Sequence, residues 1–123
     1  MNIEDFRNYC LSIKGATESC PFLDKNILVL KVMDKMFTYI NLVPKDGQFR
    51  ASMKCDPEKA NELRERYQGI THGDHTKSSN WNAVYLKSDV PDSLIKELIL
   101  HSLEEVINKL PKKRREEYKS LQK

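Results

Sequence analysis

The sequence predicts an α+β protein built on an antiparallel sheet of four to five strands. Residues 27–32 are rich in β-branched and aliphatic side chains, and residues 36–42 alternate in polarity, as strands do. Residues 92–109 instead carry leucine and isoleucine at helical spacing, in a stripe broad enough to cover a sheet. The turns at 33–35 and 44–47 are too short for parallel crossovers, so consecutive strands pair antiparallel.

The first element is predicted to be a helix over residues 3–13. Asn2 precedes it as a capping residue, and Gly15 follows as a terminator. A polar link from 16 to 26 then leads to the first strand. The helix presents one apolar stripe, made of Ile3, Phe6, Cys10 and Ile13.

The middle of the chain adds another strand, a second helix and the end of the sheet. Residues 48–53 return as a third strand after the Asp-Gly turn signal. Asp56 is a good N-cap and Pro57 suits the first helical position, and Gly69 ends this helix. Further strands are predicted at 82–87 and, as a short segment, at Ile70-Thr71.

The C-terminal part is helical and charged. Pro111 breaks the long helix, and residues 112–121 form a short charged helix with Tyr118 and Leu121 as its only apolar contacts. The whole chain, 1–123, is expected to form one domain, because its length matches one core. No apolar run approaches the ~20 residues that span a bilayer, so we expect no membrane partner.

The N-terminus is acidic and does not resemble a signal peptide, so we expect a cytoplasmic location. We also expect a monomer. Cys10, Cys20 and Cys55 are odd in number, widely spaced and without a C-x-x-C motif. We interpret them as reduced thiols that form neither a disulfide framework nor a zinc site.

The net charge of +3 is unevenly distributed. Residues 109–123 hold seven Lys/Arg and two Glu, a net of +5, whereas the other 108 residues hold fourteen basic and sixteen acidic groups, a net of −2. Such a basic tail attracts phosphate backbones. The alternative is a solvated helix whose charges serve only solubility.

The turn-rich loop leading to the last strand concentrates most of the unusual side chains. His72, Asp74 and His75 are plausible metal ligands, although they also suit a surface turn whose side chains cap backbone groups. We expect no metal and no cofactor, because Gly73 gives the segment freedom and no cysteine is nearby.

Catalysis is not expected. Cys55 stands at a strand–helix junction, where a helix N-terminus could lower its thiol pKa, but the sequence places no base beside it. The chain contains no G-x-S-x-G, Walker or dinucleotide-binding motif.

Trp81 has two interpretations. As a core residue it organises the loop together with His75, and Asn82 then fixes the loop by hydrogen bonds. As an exposed platform it stacks on a base, while Lys77, Asn80 and Asn82 reach phosphates or base edges.

The residues and their spacing resemble the MmcQ/YjbR family over nearly the whole chain. The most specific part runs from Gly69-Ile70-Thr71 through His75 to Trp81-Asn82. Further matches are Lys35-Met36-Phe37, Leu63-Arg64, Tyr67-Gln68, Lys77, Val84-Tyr85-Leu86, the 94–99 helix segment, His101-Ser102 and Leu110-Pro111-Lys112-Lys113.

This resemblance implies a CyaY- or frataxin-like fold, in which N- and C-terminal helices cover one face of the sheet. It also implies DNA binding without catalytic residues. The chain departs from the family pattern at His72, Asp74 and Thr76, where proline, an aromatic residue and methionine are expected. Frataxin-like iron binding is not expected, because acids are sparse on and after the first helix.

Two functional hypotheses follow. In the first, the protein binds double-stranded DNA. The phosphate contacts come from Lys77, Lys112, Lys113, Arg114 and Arg115, and Lys54 is a further candidate. Asn80 and Asn82 fix the loop or contact the DNA groove. In the second, it is an adaptor that binds another protein or a small ligand in the cleft between the 72–82 loop and the long helix.

Overall fold

The computed structural model describes residues 1–20, 26–44, 46–72 and 80–121. These ranges contain six strands and four helices. In chain order they are α1 (Ile3–Leu11), β1 (Thr17–Ser19), β2 (Ile27–Val32), β3 (Lys35–Asn41), β4 (Arg50–Lys54), α2 (Pro57–Arg66), β5 (Ile70–His72), β6 (Trp81–Tyr85), α3 (Asp92–Asn108) and α4 (Lys112–Ser120). No helix in these ranges has the length and apolarity needed to cross a membrane.

The predicted helix caps are confirmed. The Asn2 side chain accepts a hydrogen bond from the Asp5 amide at 2.7 Å, and the Asp56 carboxylate accepts one from the Lys59 amide at 3.2 Å. Both bonds satisfy amides that have no partner inside a first helical turn. α1 ends at Leu11, two residues before the predicted end, and Gly15 follows in the left-handed region with φ +75°.

The sheet is antiparallel throughout, with strand order β1-β2-β3-β4-β6-β5. The α+β class is therefore confirmed, but the count of four to five strands is wrong. β1 forms within the stretch predicted as a link, and it pairs with β2 through Thr17↔Lys31 and Ser19↔Val29. Its sequence, Thr-Glu-Ser, has no apolar alternation and therefore gave no strand signal. The CyaY-like relationship stays a prediction.

One face of the sheet faces the main core. A row of paired residues crosses five strands on this face, through Leu28, Ile40, Ala51, Val84 and Ile70. Phe6 of α1 and the pair Ile95 and Ile99 of α3 belong to the same apolar cluster and are fully buried. The helices therefore complete the core above the strands.

α4 packs against the body of the protein at two places. Tyr118 is 8% exposed, and the Lys14 ammonium lies 4.9 Å from the centre of its ring. At the other end of the helix, the Arg114 guanidinium donates to the Met33 carbonyl at 3.1 Å. Met33 and Asp34 form the β2–β3 turn, with φ of 50° and 63°. The basic helix is thus fixed beside this turn.

Candidate nucleic-acid interface

The four basic residues at the start of α4, residues 112–115, form what we call the basic run. Lys112 and Lys113 are exposed, whereas Arg114 and Arg115 are half-buried. Arg114 contacts the β2–β3 turn, where its guanidinium also lies 3.9 Å from the Asp34 carboxylate. The two lysines are therefore available to a ligand, while Arg114 also holds the helix in place.

A groove of about 280 Å³ lies next to the basic run. We call it the lysine groove, because three of its six lining residues are lysines from separate elements. The lining residues are Lys35, Met36, Lys54, Val106, Lys109 and Leu110. The groove therefore combines three positively charged side chains with three apolar ones.

The lysines of this groove influence one another. Partial burial and the neighbouring Lys109 ammonium hold the pKa of Lys54 below its usual range, while the Glu105 carboxylate acts in the opposite direction. A second positive charge close by disfavours the charged form of an ammonium group. An anion placed between the two lysines would relieve this repulsion.

The lysine groove and the basic run are close in the chain and both reach the β2–β3 turn. Leu110 lines the groove, and only Pro111 separates it from Lys112. On the other side, Lys35 follows the β2–β3 turn that Arg114 contacts. Chain connectivity and the Arg114 bond therefore bring both groups of basic residues to the neighbourhood of the β2–β3 turn.

Asn82 lies in the interior. The residue is only 2% exposed. Its side-chain oxygen accepts a hydrogen bond from the Arg64 guanidinium, and its side-chain nitrogen donates one to the Ala60 carbonyl at 3.4 Å. These bonds link β6 to α2. A buried amide already bonded within the protein cannot reach a DNA groove, so Asn82 is unsuited to the DNA contact predicted for it.

The other loop residues are described in part. Trp81 is half-buried, and its ring centre lies 5.9 Å from that of Tyr39 with a tilt of 41° between the rings. The Asn80 carbonyl accepts from the Cys55 amide at 2.6 Å and so joins the loop end to β4. His75 and Lys77 lie outside the described residues, and their roles stay predictions.

The predicted metal ligands are described only at one position. His72 is exposed at the end of β5, whereas Asp74 and His75 fall outside the described residues. Within ranges 1–20, 26–44, 46–72 and 80–121, no three histidine, cysteine or acidic side chains are grouped as metal ligands would be.

The thiol of Cys55 does not have the lowered pKa that its position near a helix start suggested. Burial, with the residue 4% exposed, raises its pKa to about 11. Burial likewise raises the pKa of Cys10 to about 12. Both thiols are therefore protonated at neutral pH, which makes them poor nucleophiles. All three cysteines, including the exposed Cys20, are free.

The cleft of the adaptor hypothesis involves residues 73–79, which are not among the described ranges. Where β6 faces α3, between Asn82 and Leu98, the described residues enclose a space of only about 10 Å³. This is roughly the volume that one water needs. The described part of this region is therefore packed and does not form a ligand cavity.

Lys35 and Lys109 were not identified as candidates from the sequence. They are separated by 74 positions, and no pattern in the sequence indicates that they lie together. The only available signal was that Lys35 begins one of the matches to the family and that Lys109 directly precedes another. Their proximity results from the packing of α3 against the sheet.

Comparison with known proteins places the chain in a family. A family model described as YjbR matches residues 11–104. The chain is 30% identical over 115 residues to "Uncharacterized protein YjbR" of Escherichia coli K12, covering 94% of this chain and 95% of the relative. The names of these relatives state no activity.

Solved structures show the same fold. A crystal structure of a Deinococcus radiodurans protein with domain DUF419 has a TM-score of 0.85 and 33% identity, covering 96% of this chain and 88% of that one. A crystal structure from Pseudomonas syringae has a TM-score of 0.72 at 21% identity, covering 83% and 96%. These matches confirm the resemblance inferred from the sequence, and the chain belongs to the YjbR family.

Proposed function

We propose that this protein binds double-stranded DNA without catalysis, through phosphate contacts made by the basic run and the neighbouring lysine groove. The observation that supports the proposal is that both basic groups reach the β2–β3 turn, through Arg114 of the basic run and Lys35 of the groove. Lys112 and Lys113 are exposed, and Lys35 lines the groove. Lys77 and Asn80 remain additional candidate contacts.

The charge distribution supports contact with a polyanion. The strongly basic last fifteen residues stand out against a body that is slightly acidic. A localised basic face attracts and orients a phosphate backbone, whereas evenly mixed charges do not. Because Arg114 ties α4 to the turn, the two exposed lysines are presented by an ordered helix. Less conformational entropy is then lost when they bind.

The acidic residues near this face limit the expected affinity. Asp34, Glu105 and Glu117 lie beside the basic residues and offset part of their charge. We therefore expect binding in the micromolar range, with little sequence preference, as is typical of contacts to phosphates alone.

The test is fluorescence anisotropy of a labelled duplex, titrated with the full chain at about 50 and 200 mM salt. We expect affinity to fall steeply between the two salt concentrations. The variant Lys112→Glu/Lys113→Glu should weaken binding and lower the slope of log K against log salt by about one for each lost phosphate contact. Arg114 is left unchanged, because its substitution would also loosen α4.

The matched control is Lys87→Glu/Lys96→Glu, which changes the net charge equally. Lys87 lies just after the C-terminal end of β6, whereas Trp81 begins this strand. Lys96 lies in the first turns of α3, about 20 Å along the helix from Lys109. This variant should keep most of the affinity. Equal losses in both variants would show that net charge alone acts, and absence of binding at low salt would overturn the proposal and favour a protein partner.

A further inference from the structure

The lysine groove has the form of a small anion site and not only of a charged surface. Its volume of about 280 Å³ is close to the lower end of the range for small-molecule pockets. Lys35 comes from the start of β3, Lys54 from the end of β4 and Lys109 from the residue after α3. Three lysines from three elements therefore line a recess of molecular size.

Two of the three ammonium groups are close enough to repel each other. Lys54 and Lys109 are side-chain neighbours, and the acidic group acting on Lys54 is Glu105. Glu105 also lies 4.0 Å from Nε2 of His101, but that nitrogen accepts a hydrogen bond from the Asp56 amide and does not donate to the carboxylate. An anion with several free oxygens would satisfy the lysines better than this single carboxylate does.

We propose that the lysine groove binds a phosphomonoester dianion, either the terminal phosphate of a nucleic acid strand or that of a free nucleotide. A phosphomonoester carries a charge of about −1.5 to −2 at neutral pH and presents three acceptor oxygens. The three lysines equal these three oxygens in number, and their positive charge is opposite to that of the phosphate. The inference goes beyond duplex binding, since a free nucleotide would also fill the groove.

The shape of the groove favours a terminal phosphate over a backbone phosphate. A phosphodiester is esterified on two sides and carries one charge, so only two of its oxygens are free for ammonium groups. A terminal phosphate is attached on one side only and can enter a recess. The apolar lining of Met36, Val106 and Leu110 would then contact the attached sugar or base.

The test is a titration of the ¹⁵N-labelled full chain, followed by amide chemical shifts. The probes are adenosine 5′-monophosphate, adenosine and inorganic phosphate. We expect adenosine 5′-monophosphate, but not adenosine, to shift the amides of Lys35, Lys54 and Lys109. Inorganic phosphate should shift the same amides, more weakly if the nucleoside also contributes. Absence of shifts at these amides with millimolar adenosine 5′-monophosphate would overturn the proposal.

Two variants make the test specific to the groove. Lys54→Met should lower the affinity for adenosine 5′-monophosphate by about tenfold or more, because one charge-assisted hydrogen bond is lost. Glu105→Gln should instead strengthen binding, because it removes the negative charge that competes for Lys54. Lys87→Met serves as a control outside the groove. Unchanged affinity in Lys54→Met would overturn the proposal.

A pair of oligonucleotides separates this inference from duplex binding. A strand with a 5′-phosphate should bind more tightly than the same strand with a 5′-hydroxyl, and Lys54→Met should reduce the difference. If free nucleotide binds but no duplex does, the groove assignment holds and DNA binding fails. If duplex binds but the end phosphate and free nucleotide have no effect, the groove assignment fails and DNA binding holds.

Discussion

The Ser102 hydroxyl accepts a hydrogen bond from the Lys54 amide at 2.8 Å, at the point where β3 and β4 stop pairing. The same hydroxyl donates to the Phe37 carbonyl. Thr38↔Met53 is the last pair of this ladder, so Ser102 bridges the position that would follow. A side chain of α3 thus replaces the direct pairing of Phe37 with Lys54. Lys54 is also one of the residues that line the lysine groove.

Ser102→Ala should destabilise the protein. Ser102 is fully buried, and its loss would leave the Phe37 carbonyl and the Lys54 amide without this partner. We expect a loss of about 1–3 kcal/mol in the free energy of unfolding, measured by urea denaturation. Ser93→Ala, at an exposed position on the same helix, is the control and should change stability little. Equal stability of both variants would contradict the bridging role.

Asp89 should make stability depend on pH in the acid range. Its carboxylate accepts from the Gln68 and Gly69 amides, each at 2.8 Å, and these bonds hold its pKa below its usual range. A carboxyl group with a lowered native pKa stabilises the fold above its unfolded pKa of about 3.9. This contribution is lost as the pH falls through the lower, native pKa.

Urea unfolding of wild type and Asp89→Asn between pH 6 and pH 2.5 measures this contribution. The two proteins should differ most at pH 6 and converge toward the acid end. Asp46→Asn, an exposed substitution in another turn, is the control. A constant difference across the range would show that the Asp89 contribution is not ionic.

Gly69 should tolerate no side chain. A Cβ atom there would lie 2.7 Å from the Ser88 Cβ and 3.0 Å from an Asp89 carboxylate oxygen. We expect Gly69→Ala to cost about 1–3 kcal/mol, because the turn must shift or lose its bonds to Asp89. The double variant Gly69→Ala/Ser88→Gly, which removes the closer contact, should recover part of the loss in thermal denaturation. No recovery would attribute the cost to the backbone instead.

Thiol titration should distinguish the three cysteines. In the native protein at pH 8, a disulfide reagent such as DTNB should react with the exposed Cys20 alone, because Cys10 and Cys55 are buried with raised pKa values. All three should react in denaturant. Cys20→Ser should abolish the native reaction. A fast native reaction that survives this substitution would show that one of the buried thiols is accessible.

Local patterns were sufficient for much of the fold. β2 spans the predicted residues, Ile27–Val32, and α3 ends one residue before its predicted end. Both elements bury a strongly periodic apolar set, and this is the signal that sequence reasoning detects. β1 was missed because a short polar edge strand owes its structure to its partner. The start of β6 at Trp81 was missed by one residue.

The candidate site was predictable only where it is continuous in sequence. The basic run was recognised from its charge, but the lysine groove depends on Lys35, Lys54 and Lys109, which three different elements bring together. The sequence also could not separate surface from buried amides. Asn82 resembles a polar loop residue, and its burial follows from pairing with Met53 on the core face of the sheet.

The strand order has a consequence for how this chain folds. β1 to β4 are neighbours in both sequence and space, so each pairing closes a short loop. The β4–β6 pairing instead closes a longer loop, which contains α2 and β5. Closing a longer loop costs more conformational entropy. We therefore expect the β2–β3 hairpin to form early in folding. Asp34→Gly, which relieves a left-handed residue with φ of 63°, should speed folding more than it slows unfolding in stopped-flow measurements.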